Sequence, residues 1–167
     1  MNLRTITTIA LTLLIMGCST SKKEAYKFEL LAVDEARAMN IESMSQKDAE
    51  AVGDIILTAK YDDKQKYLLK AKSIIDNSMI VDAEVSVDEV RHGNMINIHF
   101  SKEGAEIFSD FTEKNTGKRV AIVLNSKVYS APIIVQKISG GTVQVTGDFS
   151  TEEALKIVNA VKPKKEK

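Results

Sequence analysis

The sequence predicts an α+β domain in which two main helices pack on one face of an antiparallel or mixed sheet. Three observations point there. Alternating or continuous apolar runs, short enough to be strands, recur from Tyr26 to Phe149. Two longer stretches, beginning at Ser101 and Ser150, combine a capping serine with an apolar stripe at helical spacing. Several strands precede the first of these helices and more follow it. That order lacks the regular alternation of parallel βαβ units.

Tyr26 to Val33 reads as the first strand, and Asp34 as the cap of a short helix through Met39. Asn40 to Val52 fits either a helical turn capped by Ser45 or a loop. Ile55 to Lys60 and Tyr67 to Ala71 read as strands around the polar turn Asp62-Asp63-Lys64-Gln65. Ile74 to Met79 is a connector. Along Ile80 to Val87, Val81, Ala83, Val85 and Val87 share one face, with Asp82, Glu84 and Ser86 on the other. Arg91-His92-Gly93-Asn94 turns the chain, and Ile96, Ile98 and Phe100 point inward on the returning strand.

Ser101 caps a helix whose face carries Ala105, Phe108, Phe111 and Thr112, helped by Ile107. Gly117 ends it by adopting the left-handed conformation. Val120 to Leu124, apolar throughout, is a central strand. Asn125-Ser126 turns the chain into Lys127 to Ala131. Pro132 lacks an N–H, so that strand lies at an edge or ends there. Gly140-Gly141 makes a tight turn before Thr142 to Thr146. Ser150 and Glu153 form a capping box for the last helix. Ala154, Ile157, Val158 and Val161 are its core stripe.

The N-terminus reads as an export signal. Arg4 is followed by a mostly apolar run from Thr5 to Met16. The run is shorter than the ~20 residues that cross a hydrocarbon core. Ile15-Met16-Gly17-Cys18 resembles the lipobox of bacterial lipoproteins, in which the cysteine is lipidated and becomes the new N-terminus. Cys18 is the only cysteine in the chain, so it has no internal disulfide partner. Residues 1–17 are thus expected to be a signal peptide, and 18–25 a lipidated tether that anchors the protein to a membrane. Residues 26–162 form the folded domain, and 163–167 a basic tail. Ser19 does not match the aspartate that retains lipoproteins at an inner membrane, which leaves an outer-membrane location open.

Hydrophobic residues at 44% and charged residues at 28% describe a folded globule, not a disordered chain. Removing Arg4 with the signal takes the 23 basic residues to 22, against 23 acidic ones. A net charge of −1 gives no long-range attraction to nucleic acid.

Residues 117–154 carry a denser pattern. Gly117-Lys118 precedes the apolar strand, Lys127-Val128 follows the turn, and Ser130-Ala131-Pro132 ends the next strand. Ile138-Ser139-Gly140-Gly141, Gln144-Val145-Thr146-Gly147-Asp148-Phe149 and Glu153-Ala154 complete it. In order and spacing this resembles the first periplasmic (head) domain of the SecD/SecDF family, accessory membrane subunits of the Sec protein translocase. Val81-Asp82-Ala83 and Ser101 to Ala105 fit the same domain, so the resemblance covers Ile80 to Ala160. The family's turn is usually Asp-Gly where this chain has Asn125-Ser126. The family then continues into membrane helices, whereas this chain ends in a basic tail. The resemblance therefore implies a stand-alone head. It faces the periplasm or cell exterior, held by lipid, without the membrane-embedded ionisable groups associated with proton-driven work.

No catalytic constellation is present, and an enzyme is not expected. His92 and His99 lack the companions of a metal site, and no phosphate-binding glycine loop occurs, so no cofactor or metal is called for. The carboxylate pairs Asp62-Asp63 and Glu152-Glu153 belong to a turn and a helix start. The segment around Tyr129, Ile133 and Ile134 is a candidate edge for an extended peptide, which pairs by main-chain hydrogen bonds. Its apolar residues read more readily as core. Gly117, Pro132, Gly140, Gly141, Gly147 and Phe149 are structural motif positions. By resemblance the partners are unfolded secretory polypeptides or Sec translocase components. The alternative is a specific folded envelope protein.

Overall fold

Val120–Leu124 (β7) is buried at all five positions, because its two faces serve two different cores. The structure, a computed structural model, describes residues 26–89 and 93–163. Cys18 with its lipobox, the tether through residue 25, His92 and residues 164–167 lie outside the described residues. Val120, Ile122 and Leu124 face the main core, while Ala121 and Val123 face a second cluster. Phe28–Ala32 (β1) divides in the same way, with Phe28 and Leu30 on one side and Leu31 on the other. The period of two sends alternate side chains to opposite faces. A continuous apolar run is what a strand buried on both faces requires.

β1 and β7 pair antiparallel from Phe28↔Leu124 to Ala32↔Val120. They are the middle strands of a four-stranded sheet, flanked by Ile75–Asp76 (β4) and Lys127–Ser130 (β8). The hairpin of Asp54–Thr58 (β2) and Lys66–Lys70 (β3) covers one face of this sheet. Against the other face lie a second sheet and both main helices. That sheet runs Ile80–Asp88 (β5), Gly93–Phe100 (β6) and Thr142–Phe149 (β9), in that order. Lys102–Lys114 (α3) contributes Phe108 to the main core, and Thr151–Val161 (α4) contributes Ala154, Ile157, Val158 and Val161. The expected α+β class holds, with antiparallel pairing between all named strands.

The turn chemistry follows the residues. Asn125 and Ser126 have φ of 47° and 61°, the pair of positive values of a tight hairpin turn. Asn125 also clamps the start of β1. Its Oδ1 accepts from the Lys27 N–H at 2.8 Å, and its own N–H donates to the Lys27 carbonyl at 2.9 Å. Asp34 caps Glu35–Ala38 (α1). Ser45 forms a capping box with Asp48 that starts Gln46–Glu50 (α2). This decides in favour of helix in the region the sequence leaves open.

Two expectations are corrected. Ile74 to Met79 is not a plain connector: Ile75 pairs with Leu30 and Asp76 with Glu29. Asn77 then takes the place of a strand residue. Its Oδ1 accepts from the Phe28 N–H at 2.7 Å, and its Nδ2 donates to the Tyr26 carbonyl at 3.0 Å. In β5 the alternation breaks at a bulge between Ile80 and Asp82. Ile80 turns inward and Val81 is exposed, so of the expected valine face only Ala83 is fully buried.

Candidate functional site

α3 shows why a groove forms beside it. Gly104, Phe108 and Thr112 lie at helical spacing and are buried. Gly104 lets the helix close on Met79 and Phe100, since an added Cβ would sit 3.0 Å and 3.2 Å from their Cβ atoms. Ile107 and Phe111, one helical turn apart, sit on the flank of that face and are only half-buried. With Ile74 and Met79 they pack against the main core on one side and line a recess of about 600 Å³ on the other. A second recess, of about 330 Å³, adjoins it and shares Ala32, Lys70 and Phe111. Together they make one groove between α3 and the end of β1. Both volumes fall in the range of roughly 300–1,000 Å³ typical of ligand clefts.

The groove's rim is charged. Asp34 accepts from Lys70 Nζ at 2.7 Å and from Arg37 Nε at 3.0 Å. Asp54, fully buried at the start of β2, lies 3.0 Å from Arg37 and 3.1 Å from Lys70. Its oxygens are at ion-pair distance from both cations but out of line for hydrogen bonds. Two acids and two bases thus neutralise one another and tie α1, β2 and β3 together. The Lys70 hydrogen bond, reinforced by Arg37 against the opposing effect of burial, holds the Asp34 carboxyl down at about 2. Asp34 in turn raises the Lys70 ammonium. Arg119 sits 3.6 Å from Glu35. Lys72 and Lys118 also line the groove, and neither has an acidic partner among the described residues.

The candidate edge at Tyr129, Ile133 and Ile134 is corrected by the structure. Ile134 is 2% exposed and belongs to the main core. Its N–H donates to the Lys118 carbonyl and its carbonyl accepts from the Gly117 N–H, each at 2.8 Å. The chain beyond Pro132 therefore continues to pair with the start of β7. On the outer side of β8, Lys60 N–H already donates to the Val128 carbonyl at 2.8 Å. Ile133 is half exposed. Tyr129 stacks on Phe149 with ring centres 5.5 Å apart and meets Tyr61 edge-on at 6.0 Å.

The motif positions have separate roles. Gly147 makes room for the Tyr61 ring, whose hydroxyl lies 3.0 Å from where a Cβ would be. Burial, then Glu153 and Asp148, push the Tyr61 phenol up to about 12. Burial and then Glu153 raise Tyr129 further. Gly141 has a φ of +61°, and a Cβ there would meet Ala105 Cβ at 2.8 Å. Gly140 faces open space. Gly117, at φ +86°, closes the end of α3. Pro132 ends β8 and still offers its carbonyl to Val120 N–H.

His99 Nδ1 lies 3.0 Å from Thr142 Oγ1, and its Nε2 is 3.7 Å from Glu84. No cluster able to hold a metal occurs among the described residues. None of their helices is long and apolar enough to cross a membrane. The groove escaped the sequence reading because Ala32, Lys70 and Phe111 lie far apart in the chain. The half-apolar flank of α3 was its one visible trace.

Residues 54–162 match the family model described as "SecDF, P1 head subdomain". Curated relatives include the protein translocase subunit SecD of Calditerrivibrio nitroreducens, 38% identical over 109 residues. The match takes in 60% of this chain and 21% of that one. SecD of Sebaldella termitidis is 35% identical over 125 residues, 73% of this chain and 30% of the relative. The chain thus spans under a third of the length of these relatives. Their names are those of translocase subunits, not of enzymes. Among solved structures, one described as "a membrane component SecDF that enhances protein export" is similar with a TM-score of 0.60 and 26% identity. The overlap covers 82% of this chain and 62% of that one.

Proposed function

This chain belongs to the SecDF P1 head family, and from that premise we propose that it is a membrane-tethered, non-catalytic domain that contacts secreted or non-native polypeptides as an accessory to protein export. The observation that carries the reading is the groove beside α3. Its floor of Ile74, Met79, Ile107 and Phe111 offers apolar contact, and its open rim lets an extended chain enter from the side. Apolar contact suits non-native chains because it is non-directional and asks for little sequence. The lipid expected on Cys18 would hold this surface at a membrane, facing the periplasm or cell exterior.

The test is site-specific photocrosslinking. A photoreactive residue replacing Phe111 should capture an unfolded secretory polypeptide, and one replacing the exposed Lys64, in the turn at the opposite end of the β2–β3 hairpin, should not. Equal capture at both positions, or none at Phe111 under saturating substrate, would reject the reading. A second reading, a specific folded envelope partner, draws on β5. It is the outer strand of its sheet, with Val81 and Val87 exposed. A pull-down dominated by one folded protein and lost on Val87→Lys would favour it.

A further inference from the structure

We propose that the groove selects apolar segments flanked by acidic residues, with Lys72 and Lys118 meeting the acidic flanks. The inference rests on the polypeptide-binding reading above and adds its substrate class.

The floor and the rim make separate demands. Ile74, Met79, Ile107 and Phe111 leave apolar surface facing the recess, which a polar segment would bury without hydrogen bonds. Around them, most of the charge is already spent. Asp34 and Asp54 balance Arg37 and Lys70, and Glu35 faces Arg119. Lys72 at the larger recess and Lys118 at the smaller one remain without an acidic partner among the described residues. Lys118 Nζ reaches only the neutral Asn115 Oδ1, at 3.1 Å. The groove is therefore apolar along its floor and net positive at both of its parts. A segment with Asp or Glu beside its apolar centre complements it, whereas one with Lys or Arg there meets like charge.

Both lysines are exposed, so each contact is screened and modest, about two- to fivefold in affinity at low salt. The pair acts as a filter among apolar segments, and the floor supplies most of the binding.

The test uses the full chain in nanodiscs of neutral phosphatidylcholine, so that lipid charge does not contribute. Fluorescence anisotropy compares three peptides with one apolar centre and flanks of Glu, Gln or Lys. The Glu-flanked peptide should bind tightest and the Lys-flanked weakest, with the spread shrinking as salt is raised. Lys72→Gln with Lys118→Gln should equalise the three, and Lys72→Glu with Lys118→Glu should reverse their order. Equal affinities in the unaltered protein, or a ranking that survives the double glutamine variant, would overturn the inference and leave the polypeptide-binding reading standing. Failure of all three peptides to bind would remove both.

Discussion

Lys70 Nζ donates to Asp34 Oδ2 at 2.7 Å and so fastens the end of β3 to the cap of α1. The same ammonium reaches Asp54, whose carboxylate is fully buried. Removing that carboxylate leaves Arg37 and Lys70 crowded, with Asp34 alone to balance the two of them. Breaking a fully buried pair costs about 3–5 kcal/mol. Arg37 and Lys70 keep 39% and 42% of their side-chain exposure, which screens the effect. Asp54→Ala should therefore destabilise by about 1–3 kcal/mol, read from urea denaturation.

The same network makes stability sensitive to acid. The Asp34 carboxyl sits at about 2 in the folded protein against 3.8 for the unperturbed group. A lowered folded value means that the unfolded chain binds the proton first as pH falls. The contribution is full above about pH 4 and is lost as pH drops through about 2. Asn caps a helix as well as Asp does. Asp34→Asn should thus keep α1 but lower stability at neutral pH and flatten the loss between those limits, as followed by denaturation at stepped pH.

Gly140 and Gly141 look equivalent in the chain and are not. At Gly141 alanine meets both a positive φ and Ala105, so Gly141→Ala should cost about 1–3 kcal/mol. At Gly140 the space is open, and Gly140→Ala should stay within about 0.5 kcal/mol. Thermal melts of the two variants would separate them. Equal melting temperatures would contradict the packing described for α3.

A neighbouring pair tests the segment after Pro132. Ile134→Ala should cost about 2–5 kcal/mol because its side chain fills the main core. Ile133→Ala removes a half-exposed side chain and should cost under about 1 kcal/mol. Similar denaturation midpoints for both would return this segment to the status of an open edge.

The lipid expected on Cys18 is open to direct labelling. Cys18→Ser should abolish labelling by radioactive palmitate and move the protein from the membrane pellet to the soluble fraction or leave it unprocessed. Persistent labelling would place the lipid elsewhere.

Local chemistry made much of the fold readable. The capping roles of Asp34, Ser101 and Ser150 need only neighbouring residues, and all three side chains accept the expected backbone hydrogen bonds. Val120 to Leu124 announced burial on both faces by its composition. What escaped depends on partners distant in sequence. Asn77 reads as a loop residue until Phe28 and Tyr26 are beside it. Ile134 sits in the continuous apolar run Ile133-Ile134-Val135, which fits an edge or the core, and its bonds to Gly117 and Lys118 fix it in the core. The groove is harder still to foresee, because its walls come from β1, β3 and α3 and share no local pattern.

The placement of β1 bears on how the domain responds to being pulled. Tyr26 and Lys27 enter at one end of this strand, beside Asn125, and the groove opens at the other end, at Ala32. Tension between an anchored N-terminus and a polypeptide held in the groove would run along the strand axis. The hydrogen bonds to β4 and β7 lie across that axis, so they are loaded together in shear and not opened one after another like a zipper. A head tethered through its N-terminus would resist traction along that strand.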